Sequence, residues 1–199
     1  EAHEYSIMYY FNNANDRGIS SLVEKHLPKI TGDGKRTVDE LITAMNNPFL
    51  NRDWVLEKNN DVLHQVLPLG ESLLIDHVGN HARGTKFEDL RHEVDEQLMA
   101  SIKTFFHHVP GMNFCRLDIK ADNLAALKEG KFKLLEINGA KSEPLHMYDP
   151  SLNYGEVIKA IRDHWKTLFR IVRSNIDTMD IPSSMEGIRS YYALKKLVS

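Results

Sequence analysis

The segment FCRLDIKADNLAALKEGKFKLLEINGAKSEPLHMYD, residues 114–149, constrains this chain more than any other. It holds two strand-like runs. In the first, Arg116 and Asp118 lie two apart, with Cys115, Leu117 and Ile119 at the alternate positions. In the second, Glu136 and Asn138 lie two apart, opposed by Leu135 and Ile137. Strand side chains alternate with period 2, so each polar pair projects from one face and its apolar neighbours from the other. If the two strands are neighbours, four polar groups crowd one patch.

The sequence has 199 residues, 42% of them hydrophobic, enough for one sizeable domain or one with an appendage. Its 25 basic and 28 acidic residues give a net charge of −3, with no broad cationic field and no polybasic run. Nucleic acid and membrane surfaces are therefore poor partners. The single cysteine, Cys115, excludes an internal disulfide and fits a reducing, cytoplasmic setting. No apolar run approaches the roughly 18 residues of a spanning helix, and the N-terminus EAHEYSIMYYF lacks a basic region followed by an apolar core. Beginning without Met on a strand-like pattern, the chain reads as a piece of something longer.

Along the chain, residues 4–11 are aromatic and β-branched and read as a strand, ended by Asn12, Asn13, Asn15, Asp16 and Gly18. Residues 19–30 form a second extended segment, which Pro28 weakens. Thr37 and Glu40 make a capping box that predicts a helix over 38–46, stopped by Asn46-Asn47-Pro48. A further helix over 51–58 would take Asn51 as its cap. Short extended segments flank the turn at Pro68-Leu69-Gly70-Glu71. Thr85 and Glu88 predict a second capping box, opening a helix over 86–108 with Phe87, Leu90, Val94, Leu98, Ile102, Phe105 and Phe106 along one face. Its free N–H groups and positive dipole end, next to Arg83 and two glycines, would suit an anion. Between the two polar strands Asp122 is placed to cap a short helix closed by Gly130. A long helix over 154–178 carries Val157, Ile158, Ile161, Trp165, Leu168, Phe169, Val172 and Ile176 on one side, and Trp165, Phe169 and the Phe105-Phe106 pair read as core. Ser183 and Glu186 cap a basic last helix over 184–198.

Two carboxylates and an amide oxygen on adjacent strands supply hard oxygen ligands, which suit Mg²⁺ or Mn²⁺. Mg²⁺ takes one or two carboxylates and leaves the remaining positions to water and phosphate, so such a patch wants a phosphate partner. Arg116 and Arg83 would meet the charge of a phosphoryl group from two sides. The spacing alone equally fits a solvated sheet face, with Arg116 paired to Asp118 or Glu136. The ten histidines form no His-Glu-x-x-His motif, and Cys115 has no second cysteine for a zinc pair. Cys115 points to the apolar face, which makes it a poor nucleophile.

At these residues the sequence resembles the C-terminal part of the ATP-grasp superfamily, including D-alanine:D-alanine ligase and carboxylate-amine ligases of the RimK and cyanophycin synthetase type. Arg116-Leu117-Asp118 and Glu136-Ile137-Asn138 match the family's Arg-x-Asp and Glu-x-Asn motifs in order and spacing. Glu4-Tyr5-Ser6-Ile7 looks like the strand opening this subdomain. Gly32-Asp33-Gly34 through Thr37, Glu40 and Leu41 resembles the GDG-x-x-T-x-x-E-L element, and Asn80-His81-Ala82-Arg83-Gly84 is similar to the Asn-x-x-Arg-Gly loop.

The resemblance implies an α+β fold, a mainly antiparallel sheet flanked by helices, with residues 1–178 a partial ATP-grasp domain and 179–199 a helical tail. It implies that Asp118, Glu136 and Asn138 hold the metal, that Arg116 and Arg83 stabilise the acyl-phosphate and transferring phosphoryl, and that Asn80, Gly84 and Glu136 border the ATP. The loop after Asn138 would line the acceptor site through Lys141, Ser142, Glu143, His146 and Tyr148. The expected function is ATP-dependent joining of a small-molecule carboxylate to an amine or amino acid through an acyl-phosphate, with ATP and Mg²⁺ (or Mn²⁺). A small-molecule kinase and a non-catalytic binding module are the alternatives, and a homodimer is left open. The family's preceding domain, lysine-bearing adenine pocket and hinge have no counterpart identified in the sequence. The chain is therefore expected to be a fragment that binds Mg-ATP weakly or not at all and turns nothing over alone.

Overall fold

A computed structural model describes residues 2–109, 111–176, 185, 186 and 189. Its seven strands are β1 (His3–Asn13), β2 (Asp16–His26), β3 (Lys29–Thr31), β4 (Ser72–Leu74), β5 (Lys86–Asp89), β6 (Phe114–Ala121) and β7 (Lys133–Asn138). The helices among the described residues include α1 (Val38–Thr43), α2 (Arg52–Lys58), α3 (Glu96–His107), α4 (Leu124–Lys128) and α5 (Tyr154–Asn175). Five strands form one sheet in the order β5-β2-β1-β6-β7, with every pairing antiparallel. The architecture is thus α+β with a mainly antiparallel sheet, as the resemblance implied.

Alternation along the strands divides the side chains between the two faces of this sheet. Tyr5, Ile7, Tyr9, Leu22, Cys115, Leu117 and Ile119 pack against Leu98 and Ile102 of α3 and Leu127 of α4. Burial pushes the Cys115 thiol up to about 11, in keeping with a packing role. On the opposite face Met8 and Phe114 meet Ile171 of α5, while Val23 and Phe87 meet Leu145. A separate cluster, built on Ile30, Val38, Ile42, Val55 and Ile75, joins β3, β4, α1 and α2 into a smaller unit beside the sheet.

Several predicted boundaries hold. The Thr37 box caps α1 in both directions, and Asn51 Oδ1 accepts from Trp54 N to open α2. Pro28 separates β2 from β3, which then pairs in a different sheet.

Four expectations do not hold. Residues 86–89 are a strand, not the start of a helix: they pair with β2, and the pairing buries Phe87. Thr85 caps nothing, because its hydroxyl donates to Val78 O at 3.1 Å. The helix begins after Asp95, whose side chain accepts from Leu98 N, so the predicted helix N-terminus for an anion at Thr85 is not there. Asn123, rather than Asp122, caps α4. A bulge in the β6–β7 ladder pairs Asp118 with Glu136 but Ile119 with Leu134, leaving Leu135 unpaired and 51% exposed instead of on the packed face.

The fourth correction concerns α5. It meets the sheet along a narrow seam of His164, Leu168 and Ile171, with Ala160 buried on the same side of the helix. Trp165 and Phe169, expected in the core, are 58% and 65% exposed. Of the expected last helix, and of its Ser183 cap, only residues 185, 186 and 189 lie within the described part.

Candidate active site

The two polar motifs come together through direct cross-strand pairing. Arg116 is opposite Asn138 and Asp118 is opposite Glu136 across β6 and β7. On the other side β6 pairs with β1, which sets Ser6 opposite Asp118, and β1 in turn pairs Glu4 with Lys25 of β2. Asp118 is thereby held from three directions. Ser6 Oγ donates to its Oδ1 at 2.8 Å, Lys25 Nζ lies 3.4 Å from the same oxygen, and Arg116 donates to Oδ2 at 3.3 Å. Lys25 also bridges to Glu4 Oε1 at 2.7 Å, with its side chain 4% exposed. With its amide nitrogen turned to Glu136 Oε1 (3.1 Å), Asn138 presents its oxygen to Arg116 (3.3 Å). Arg116 Nε is buried without a protein partner.

Glu4, Lys25, Arg116, Asp118 and Glu136 border a cleft of about 510 Å³, which Asn80 also lines, while Asn138 lies on the depression beside it. Gly79 brings the loop close to them, since a Cβ there would lie 2.5 Å from Glu4 Oε1. A larger cavity of about 680 Å³, lined by Tyr9, Phe11, Phe106 and Met112 among others, has no carboxylate in its walls and shares no residue with the polar patch. Its size does not make it the reactive site, because the convergent oxygen donors lie in the smaller cleft.

The remaining predicted residues divide into those near the patch and those turned from it. Asn80 lines the cleft and caps the turn His81–Arg83 through Ala82 N. Arg83 does not line it. Its Nε and Nη2 donate to Asp76 at 2.7 and 3.0 Å, and its guanidinium lies 4.0 Å from the Trp54 ring. Burial would raise the Asp76 carboxyl, but hydrogen bonds from Lys58, Arg83 and Val78 outweigh it and hold the group below the usual range. Gly84 adopts φ 88, and a Cβ there would meet Leu50 Cδ1 at 2.5 Å, so its glycine is explained by packing.

Lys141, Ser142 and Glu143 join Arg116 and Asn138 around a neighbouring depression of about 420 Å³. Tyr148 reaches the cleft and donates to Glu143; burial, then that bond, pushes its hydroxyl up to about 12. His146 faces elsewhere, toward α5. Sequence reasoning missed Ser6 and Lys25 as members of the patch. The signal was a lysine among the apolar residues of β2, readable only once Glu4 and Lys25 are known to pair.

The donor set fits a hard divalent cation in type: Asp118 and Glu136 supply carboxylate oxygens and Asn138 an amide oxygen. Among the described residues no group of three His, Cys, Asp or Glu side chains is placed to hold a metal ion. An ion here would thus draw on two carboxylates and complete its shell from amide, water and phosphate oxygens, the habit of Mg²⁺.

No protein-family profile matches the chain, and no curated protein matches it in sequence. The fold resembles solved structures, among them a bifunctional glutathione synthetase from Pasteurella multocida, with a TM-score of 0.51 at 12% identity. That match covers 82% of this chain and 24% of the synthetase chain, so this chain spans about a quarter of that protein's length. The likeness is one of fold, to a part of that synthetase. Among the described residues no helix is long and apolar enough to cross a membrane.

Proposed function

We propose that this chain carries the metal- and phosphoryl-binding part of an ATP-dependent carboxylate–amine ligase. One observation carries the reading: the ladder that sets Asp118 opposite Glu136 and Arg116 opposite Asn138 on one polar sheet face. The likeness of the fold to a glutathione synthetase supports it.

Asp118, Glu136 and Asn138 would hold Mg²⁺, which when bound neutralises charge on the phosphates of ATP. Ser6 and Lys25 fix Asp118, so its carboxylate needs no reorganisation when a cation arrives. Arg116, which lines both the cleft and the depression beside it, would place its guanidinium charge near a phosphoryl or acyl-phosphate oxygen. Glu143 and Tyr148, joined to each other at the rim, would orient the carboxylate or amine substrate. Arg83 supports this site indirectly, by anchoring the Asn80 turn to Asp76.

The test is phosphate release from ATP, with Mg²⁺, carboxylate and amine supplied, by the polypeptide that contains this chain. Glu136→Gln and Asp118→Asn should each lower the rate by about 100-fold or more with the circular dichroism spectrum unchanged. Wild-type rates in both would refute the metal assignment. Phosphorylated product without amide would replace the ligase by a small-molecule kinase.

A further inference from the structure

The cavity of about 680 Å³ lies on the α3 side of the sheet, opposite the polar patch, and its walls carry one sign of charge. Arg17 and Lys103 line it, with His107 beside them, and no carboxylate does so among the described residues. Neither cation has an acidic side chain within ion-pair distance among those residues; Asp16, next to Arg17 in sequence, pairs with Arg170 at 3.1 Å instead. The positive charge on this wall is therefore unspent.

Tyr9 adds a second, independent sign of a ligand. It is 3% exposed and its ring stacks on Phe106, with centroids 4.2 Å apart, yet its hydroxyl has no hydrogen-bond partner among the described residues. That oxygen is not sealed in the interior, as the unpartnered nitrogens of His146 and His164 are, and the cavity is the space that Tyr9 lines. Burial raises the hydroxyl above its usual range, and Arg17, close enough to act on it, opposes this only in part, so the phenol stays protonated and able to donate. Buried hydroxyls in native proteins rarely lack a partner, so one that opens on a cavity beside an unpaired guanidinium marks a place for an acceptor.

The rest of the lining restricts what carries that acceptor. Phe11, Phe106, Val109 and Met112 offer apolar surface, and the volume lies within the roughly 300–1,000 Å³ typical of ligand pockets. A compact inorganic anion leaves the apolar surface wet, a neutral apolar molecule leaves the hydroxyl and guanidinium unanswered, and a cation is repelled. A carboxylate on an apolar body meets all three conditions.

We infer that the cavity between the β1–β2 hairpin and α3 binds an amphipathic monocarboxylate, its carboxylate accepting from Tyr9 Oη and Arg17 and its apolar body lying on Phe11, Phe106 and Met112. The site does not rest on the ligase reading, since it shares no residue with the polar patch.

The test is ¹³C-methyl NMR of the methionines in the 199-residue chain, with Met112, one of seven, assigned through Met112→Leu. Octanoate is the titrant, with octan-1-ol and octylammonium as controls of the same chain length. Octanoate should shift the Met112 methyl saturably, in the millimolar range or below; octan-1-ol should bind about tenfold more weakly, and octylammonium more weakly still. Arg17→Gln should weaken octanoate about tenfold and leave octan-1-ol unchanged, a split that a damaged fold would not produce. Tyr9→Phe, which keeps the ring stack and removes only the hydroxyl, should weaken octanoate about tenfold with thermal unfolding unchanged. Glu136→Gln should leave every titration as it is, so this proposal and the ligase reading fail separately. No saturable shift at Met112, equal affinity for octanoate and octan-1-ol, or wild-type affinity for octanoate in Arg17→Gln would overturn the inference.

Discussion

His146 couples the fold to acid. Its imidazole is buried, with Arg91 nearby, and its folded pKa is lowered from 6.5 to about 4. Between those values the unfolded chain holds more protons than the folded one, so stability rises with pH across that window. The contribution is complete above pH 6.5, is lost as pH falls toward 4, and levels off below it. A shift of that size corresponds to about 3 kcal/mol. His164, also lowered by burial, acts in the same direction. Replacing His146 by Phe should therefore reduce the fall in unfolding free energy between pH 7 and pH 4 by about 3 kcal/mol, read from urea unfolding at the two values. An unchanged fall would show that His146 takes up its proton without penalty. Arg116, Asp118, Glu136 and Asn138 were legible in the sequence because period-2 alternation declares them within a few residues. Ser6 and Lys25 were not, because their membership depends on strand pairings about a hundred residues away in sequence. Arg83 stood out as part of a motif, yet no local pattern could announce that buried Asp76 would take its guanidinium.

At the level of elements, short motifs misled where two structures satisfy the same spacing. Thr85 and Glu88 have the separation of a capping box, and Phe87, Leu90 and Val94 continue a helical period, but Phe87 also completes the edge of the sheet beside β2. Tertiary pairing decided between them, and α3 starts at the Asp95 cap instead. The two assignments differ in what Asp95→Ala should do. In the interior of a helix over 86–108, alanine would be neutral or favourable, being the better helix former. As the N-cap of α3, Asp95 accepts from Leu98 N at 2.9 Å and also meets Lys128 at 2.8 Å. Its loss should cost about 1 kcal/mol in urea unfolding at pH 7. A gain in stability would return the helix start to residue 86. In α5 the apolar period was legible but its buried side was not. The helix rests on the sheet through a narrow seam, so its sequence has more apolar surface than the contact covers.

Across the whole molecule, the core is divided in a way that matters for the site. The main cluster runs the width of the five-stranded sheet and is tied together by the long β1–β2 and β1–β6 ladders. The smaller cluster rests on a two-stranded sheet of three cross-strand pairs with two short helices. Ties between them include Arg83 to Asp76 and Asn47 Nδ2 to Gly84 O at 2.8 Å, all at or beside the loop that carries Asn80. A unit with few long-range ladder bonds opens at lower free energy than one at the centre of a sheet. Native-state hydrogen exchange in low denaturant should find the protected amides of the Lys29–Thr31 and Ser72–Leu74 ladder exchanging through a sub-global opening, with a shallow denaturant slope. Those of Ile7 and Leu117 should exchange only on global unfolding. Identical slopes would make the molecule one cooperative unit. If the slopes separate, the Asn80 side of the cleft moves independently of the Asp118–Glu136 pair. The sheet then holds its charged groups fixed while the smaller unit governs access to the cleft, which is the division of labour that the proposed function needs.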